Sequence, residues 1–483
     1  MVKLRKVFCS ALAMAMAISA VGCGGTKKAT NEEEVPTLVW YMFGENQTDV
    51  ASVMEEANKI IEPAIGAKLE LSFIDSAAYT EKMKMKMASR EKFDLCFVGF
   101  NNPYKSGFEN GGLAELDDLI DEYAPEIYDN VSSKFIEDAR IDGKLYAIPN
   151  EQVAFRQDST FVQTDLLNKS GVTFNEINKM SDLEPFLQYV KENTENIPWR
   201  ISYGIGMWTI QNYETIINDI VIKNDGSSKK AVNLRTTPEF QEGLNTIREW
   251  YLKGYIRQDV STTQDDEIDV SSGKYASFQS AWKPGSEANM KAKYGRDYTA
   301  VKMMDPYLSC GFSRSTMIGI GECSEHKDKA IQLISLVNKN KDLYNLLCYG
   351  IEGKHYKLDS EGKVEMISDS GYDCSGRAWA HGNQFNPLVM AGSSDDVWEE
   401  TKKLNEEAKV SPIIGFELDT EPIQNEISQV SSLLEEYGVM HRGYRDPSEY
   451  WDEMEQRLKT AGEDKILEEV NRQLDEFFAN KGE

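Results

Sequence analysis

The first regular pattern of apolar positions begins at Thr37. Thr37-Leu-Val-Trp-Tyr-Met-Phe43 is a short, nearly continuous apolar run and predicts a buried strand. Val50, Val53, Met54, Ala57, Ile60 and Ile61 then recur at helical spacing, and Pro63 is expected to stop that helix. Lys68 to Ile74 alternates and predicts a strand; Ser76 to Arg90 predicts a helix, and Phe93 to Val98 a second buried strand. Strand, helix, strand, helix, strand in immediate succession predicts a parallel sheet with helical crossovers.

Later segments repeat the theme with less regularity. Gly111 to Ile120 starts a short helix, and Asp142-Gly143 before Lys144–Pro149 predicts a hairpin. Val153 to Val162 reads as extended. Helices are expected over 181–192, 213–222, 238–253, 327–338 and 343–349, and strands over 201–207, 275–282 and 315–321. Three helical stretches close the chain, at about 422–437, 447–460 and 462–480, separated by Gly438 and Gly462.

Ahead of this body, Lys3, Arg5 and Lys6 precede an apolar run from Val7 to Val21 that ends at Ala20-Val21-Gly22-Cys23. The run is too short to cross a hydrocarbon core about 30 Å thick, so it reads as an export signal, residues 1–22. Cysteine after Val-Gly resembles the bacterial lipobox, in which Cys23 becomes the lipid-bearing N-terminus; Ala20 stands where that pattern prefers Leu. A plain secretory signal with a chance cysteine is the alternative. Two or more acyl chains on Cys23 would suffice for lasting attachment. Residues 23–35 are small, polar and charged, which suits a flexible spacer. The protein is thus expected on the outer face of the cytoplasmic membrane of a bacterium, with a Gram-positive one the expectation, held through the lipid only.

Charge and cysteine usage narrow the partners. The 483-residue chain carries a net charge of −27, and cleavage after residue 22 removes three basic residues and no acid, leaving −30. Such a surface repels nucleic acid and anionic headgroups. Cys96, Cys310, Cys323, Cys348 and Cys374 have no ligand spacing and read as small apolar residues, with one disulfide left open.

Catalytic signatures are scarce. His326, His355, His381 and His441 are far apart and none lies in HExxH, so a zinc hydrolase is not indicated. GxSxG, GxGxxG and a P-loop are absent, and SxxK at Ser271–Lys274 and Ser324–Lys327 lacks its companion motifs. Asp265-Asp-Glu-Ile-Asp269 lacks the glycine and spacing of a calcium loop. No metal or cofactor is expected. Eighty carboxylates still leave room for a glycoside hydrolase pair, which stays as the rival reading.

The aromatic residues carry more information. Trp40, Tyr41 and Phe43 close the first strand, and Phe100 with Asn101 follows the third. Trp208 and Tyr213 follow an apolar strand, Trp282 ends another, and Trp379 lies in the loop GRAWAHGNQFNP. Ligands of parallel sheets bind beyond the carboxyl ends of the strands, and aromatic faces beside amides suit sugar rings. These nine residues are the candidate ligand contacts.

With a lipobox, strand-helix-strand, "GGLAELDDLI" and "DGKLYAIPN" in that order, the chain resembles the extracellular solute-binding proteins of bacterial ABC sugar importers. "YGIEGKHY" (349–356), Phe416 onward with Glu421-Pro422, "EEYGVMHRG" and "LKTAGEDKILEEVNRQLDEFF" are similar to one lipoprotein subgroup of that family and its C-terminal domain. The resemblance implies an α/β fold of two lobes, each a mainly parallel sheet flanked by helices, with a helical C-terminal extension. It implies a first lobe of 36–152 plus 316–347 and a second of 153–315 plus 348–483, crossing near 150–155, 312–318 and 345–352. It further implies a monomer that binds an oligosaccharide, does no chemistry on it and hands it to the permease subunits. Trp282 matches the family's ligand-stacking tryptophan and is expected to be exposed at its turn.

Overall fold

The computed structural model describes residues 35–99, 104–174, 177, 179–201, 211–263 and 267–482. The expected signal, Cys23, nearly all of the spacer, and Phe100, Asn101 and Trp208 lie outside the described residues, as does the strand expected at 201–207 beyond its first residue. Among the described residues no helix is long and apolar enough to cross a membrane.

In chain order the strands are β1 (Thr37–Phe43), β2 (Lys68–Ile74), β3 (Leu95–Val98), β4 (Ala147–Pro149), β5 (Asp158–Gln163), β6 (Tyr213–Ile217), β7 (Ile220–Lys223), β8 (Val232–Asn233), β9 (Ser277–Ala281), β10 (Tyr298–Lys302), β11 (Tyr307–Leu308) and β12 (Met317–Ile320), with three short ones after residue 355. The first lobe holds a five-stranded sheet in the order β2-β1-β3-β12-β4. β1 pairs parallel with β2 and β3, while β12 runs antiparallel to β3 and β4. The second lobe holds β10-β5-β9, with β5 antiparallel to both neighbours. Parallel bridges from Ile197 to Tyr275 and from Arg200 to Phe278 extend that sheet past β9.

Each sheet is therefore parallel except for one strand, and the exceptions share a cause. β5 and β12 are the strands that arrive from the other lobe, through residues 150–157 and 309–316. A chain entering from the junction starts where the resident strands finish: Met317 lies opposite Val98 and Pro149, and Asp158 opposite Ala281. The carboxyl ends of the resident strands thus face the junction from both sides, where a parallel sheet binds ligands.

Helix α1 (Val50–Ile65) and helix α2 (Ser76–Ala88) supply the crossovers of the first sheet. Pro63 was expected to stop α1, but the helix runs on to Ile65 and closes at Gly66, which takes φ 69° and donates its N–H to Glu62 O. In the last turn proline costs one hydrogen bond only, and the left-handed glycine ends the helix instead. Along β1 the pleat turns Leu38, Trp40 and Met42 fully inward and leaves Val39, Tyr41 and Phe43 half-buried.

Two further expectations are corrected. Residues 213–222 form the hairpin β6–β7, not a helix. Thr215, Ile216 and Ile217 are β-branched, and Asn218 adopts φ 49° in the two-residue turn that joins Ile217 to Ile220. Residues 348–391, expected in the second lobe, pack on the first: the helix Lys341–Tyr349 lies on α1, Tyr372 Oη donates to Leu347 O at 2.8 Å, Tyr349 Oη donates to Leu388 O at 2.9 Å, and His355 Nε2 lies 3.2 Å from Asp49 of the α1 entry. The third crossing accordingly falls after residue 391, where Asn405 accepts from Ala154 N (3.0 Å) and Phe155 N (3.2 Å).

The C-terminal helices Gln424–Gly438, Trp451–Thr460 and Glu463–Asn480 bury Val430, Met454, Leu458, Ile466, Val470 and Leu474 against Ile220 and Ile222 of β7. Cys96, Cys348 and Cys374 are buried free thiols. Asp269, considered for calcium, pairs with Arg257 (3.0 Å) and Lys274 (2.5 Å), which makes it a structural anchor.

Candidate functional site

At the carboxyl end of β1 the ring of Phe43 lies 4.8 Å from Phe97 and 5.6 Å from Trp379, and Phe97 lies 5.9 Å from Trp379. Trp379 is half-buried and donates Nε1–H to Gly376 O at 3.1 Å. Two residues singled out from sequence are thus joined by a third that was not. Arg377 stands over the Phe73 ring at 5.6 Å and against Gly44, whose φ of 137° and missing Cβ admit the guanidinium.

Other sequence candidates fall elsewhere. Trp40 is 1% exposed, edge-on to His381 at 6.0 Å, so it belongs to the core and leaves the set of candidate contacts. Tyr41 sits two residues back from the strand end, between Phe93 (6.4 Å) and the Lys86 ammonium, 4.6 Å above its ring. Tyr213 is buried in the second lobe, donating to Glu239 at 3.1 Å.

Trp282 also departs from expectation. Only 7% of it is exposed, because Lys302 Nζ covers the indole 3.7 Å from the ring centroid and Glu287 accepts Nε1–H at 3.1 Å. A cation over an indole face is favourable, and the stem of the lysine excludes water as well. Beside it, at the carboxyl end of β10, a cavity of about 580 Å³ is lined by Gln157, Gln211, Asn212, Asn224, Asp225 and Lys302 among others. Gln157 is 4% exposed; its Nε2–H donates to Met304 O at 2.9 Å while Oε1 has no partner. Four side-chain amides converging on one cavity form a wall rich in both donors and acceptors. The sequence did not reveal it, since Gln157, the pair Gln211-Asn212 and Asn224 come from three separate places in the chain.

Between the lobes, two buried carboxylates hold the crossing 309–316 from opposite sides. Asp138, on the helix Ser133–Ala139, accepts from Gly311 N (2.8 Å), Ser313 N (2.9 Å) and Ser313 Oγ (2.8 Å). Glu214 of β6 accepts from Tyr307 Oη at 2.6 Å, and from Cys310 N and Ser411 Oγ. Burial pushes both carboxyl groups above their ordinary range. With every oxygen already engaged by donors of the same chain, they are built as clamps and not as an acid–base pair.

Burial also lowers the His381 imidazole to about 4, with the Arg377 charge adding to it; His441 is likewise lowered to about 4 by burial and then by Arg235. A histidine kept neutral in the fold stabilises fully above its unfolded value near 6.5. That contribution is lost as pH falls toward 4, at up to about 1.4 kcal/mol per histidine per pH unit. Thermal melts from pH 7 to 4.5 should therefore show stability declining, with a shallower slope for His381→Gln. An unchanged slope would contradict the assigned burial.

Comparison with known proteins agrees in sequence and in fold. The family model DUF3502, a domain of unknown function, matches residues 412–479. The "Carbohydrate ABC transporter substrate-binding protein" of Streptococcus pneumoniae serotype 4 (strain ATCC BAA-334 / TIGR4) is 28% identical over 98% of both chains. The solved N-glycan transport solute-binding protein (NgtS) of Streptococcus pneumoniae, 26% identical, superposes with a TM-score of 0.79 over 92% of this chain and 100% of its own. The same protein in complex with Man1GlcNAc or Man5GlcNAc superposes at 0.67 and 0.64, covering 92% of this chain and 99% of its own in each case. The chain is thus similar along nearly its whole length to ABC-importer solute-binding proteins and shares their two-lobe fold.

Proposed function

We propose that this protein is the receptor of an ABC importer, tethered to the outer face of the membrane through Cys23, which captures an oligosaccharide between its lobes and delivers it unmodified to the permease. The observation that carries the reading is the aromatic wall Phe43–Phe97–Trp379 at the strand ends of the first lobe, set in a chain that matches a carbohydrate-binding relative from end to end. The first wall stacks the sugar, the amides around Gln157 take its hydroxyls, and Trp282 is reached when Lys302 swings off its face. Crossings at 150–157, 309–316 and after 391 form the hinge. Ligand drives closure by binding the closed state more tightly; superposition that depends on the bound glycan in the solved neighbour supports such a motion. The intact mass of the mature N-terminus tests the anchor.

A thermal-shift screen over a glycan panel, followed by mass analysis of the recovered saccharide, tests the reading as a whole. A receptor is stabilised by about 2.7 kcal/mol at 100 times the dissociation constant and returns the glycan intact; shortened products would favour a hydrolase. With the cognate glycan in hand, Trp379→Ala should weaken binding roughly tenfold to a hundredfold, about 1–3 kcal/mol, for a lost stacking face. The melting point of the free protein should fall by less than for a fully buried tryptophan, because the ring is only partly buried. Unchanged affinity in calorimetry would remove Trp379 from the site.

A further inference from the structure

The C-terminal domain, residues 412–479, matches a family of unknown function, and its first residues meet the crossing 309–316. That crossing changes hands within one peptide unit. Cys310 N is held by Glu214 of β6 in the second lobe, while Gly311 N is held at 2.8 Å by Asp138 of the first. Two neighbouring N–H groups thus belong to opposite lobes. Gly311 takes φ 74°, and apart from its chain neighbours a Cβ placed there would meet no atom within 4 Å. A left-handed glycine in open space can change its backbone angles at little steric cost, so the chain pivots here.

Past the pivot Arg314 travels with the first lobe, donating Nε–H to Asp138 O at 2.6 Å. Its Nη1 reaches the other way and pairs with Glu417. Glu417 stands on a firmly seated arm. Phe416 beside it packs edge-on against Phe477 at 5.4 Å. Asp419 N donates to Gln473 at 2.8 Å, Gln473 Nε2 donates back to Asp419 O at 2.9 Å, and Lys481 Nζ donates to Ile414 O at 2.9 Å. These partners belong to the helix Glu463–Asn480 and its C-cap, in the cluster that packs on β7. The arm also touches the pivot itself, since Cys310 Sγ donates to Phe416 O at 3.2 Å.

The ion pair spans a gap between the lobes. A cavity of about 480 Å³ beside the crossing is lined by Gly99, Tyr104 and Ile141 of the first lobe and by Ile216, Ile413 and Phe416 of the second. Apolar side chains that face one another across such a space gain by coming together, so burial favours closure at this point and the pair opposes it. Arg314 stands in the same lining, its side chain 10% exposed and its Nη2 buried without a partner. One charged contact at a partly exposed carboxylate is enough to bias the lobes and weak enough for a ligand to break.

We propose that the C-terminal domain is the latch of the hinge: Glu417 holds Arg314, and through it the first lobe, in the more open arrangement, and closure on a saccharide releases the pair. The proposal rests on the receptor reading and adds its regulation. Loss of the latch raises the closed fraction of the free protein and with it the apparent affinity. Glu417→Gln tests this, since the side chain is 35% exposed and the amide keeps its shape. Small-angle scattering of the free protein should give the variant a smaller radius of gyration than the parent. Calorimetry with the panel saccharide that most raises the parent's melting point should show about fivefold tighter binding, the measure of one partly exposed ion pair. In an Arg314→Met background the same substitution should change neither quantity, which separates a latch from a general loosening of the domain. A radius and an affinity equal to the parent's overturn the latch while the receptor reading stands. Weaker binding, or a melting point of the free variant far below the parent's, overturns it as well. If no saccharide of the panel shifts the parent, the receptor reading falls, and the scattering comparison still decides the latch. Glu417→Gln decides alone should Arg314→Met fail to fold.

Discussion

Arg235→Met should lower the free energy of unfolding by roughly 3–5 kcal/mol, the cost of leaving a buried charge cluster without its partner. Arg235 is fully buried. Its guanidinium donates Nη1–H to Asp219 at 2.7 Å, Nε–H to Glu455 at 3.1 Å and Nη2–H to Glu463. Those carboxylates come from the β6–β7 turn, the helix Trp451–Thr460 and the start of the helix Glu463–Asn480, so one side chain ties the hairpin sheet to the C-terminal helices. Glu463 is itself 3% exposed, and burial already raises its carboxyl group against the pull of Arg235. Without the arginine three like charges remain. Lysine cannot restore the arrangement, since the three acceptors need the planar fork.

The sign with pH follows. A carboxylate whose folded pKa is raised destabilises the fold above that pKa, and the penalty fades as pH falls through it. The deficit of Arg235→Met should therefore shrink between pH 7 and 5, and Arg235→Met/Glu463→Gln should recover part of it at pH 7. Urea denaturation at the two pH values is the measurement. A midpoint equal to that of the parent at pH 7 would mean that the cluster contributes nothing.

The sequence disclosed the fold where local pattern decides it. The strand and helix periods of residues 37–98 are read directly, because each element buries one face against its immediate neighbours in the chain. Residues 213–222 misled because Tyr213, Ile216, Ile217 and Ile220 also fit a helical spacing, and the left-handed Asn218 is invisible without the turn. The run Thr37–Phe43 is apolar at most positions, so sequence alone could not say that Trp40 faces the core while Phe43 faces Trp379. Segment 348–391 was misassigned because what holds it, such as His355 against Asp49, is tertiary contact only. Asp138, Glu214 and Arg314 were three charged residues among many. Their meaning comes from the crossing they grip.

Trp282→Ala should cost about 3–5 kcal/mol of stability, the range for truncating a buried tryptophan. The sequence led to the opposite expectation, an exposed ring whose loss would weaken binding and spare the fold. The difference lies in what the turn Lys283-Pro284-Gly285 leads into. Gly285 enters the helix Ser286–Tyr294 at φ 84°, and Glu287 in its first turn accepts the indole N–H at 3.1 Å. Lys302 at the end of β10 then covers the face, and Trp282 N donates to Gln157 O at 2.8 Å, which ties the strand end to the second-lobe wall. Alanine removes the ring from beneath Lys302, forfeits a cation–π contact of about 0.5–1 kcal/mol and leaves Glu287 without its donor. Trp282→Phe keeps a ring under the lysine and should lose about half as much. Binding gives the second readout. If ligand displaces Lys302 and stacks on the indole, Lys302→Met leaves the melting point near that of the parent and alters affinity, whereas Trp282→Ala lowers both. Melting of the free protein comes first: a Trp282→Ala midpoint indistinguishable from the parent would mean that the indole is not part of the packing, and the sequence expectation would stand after all.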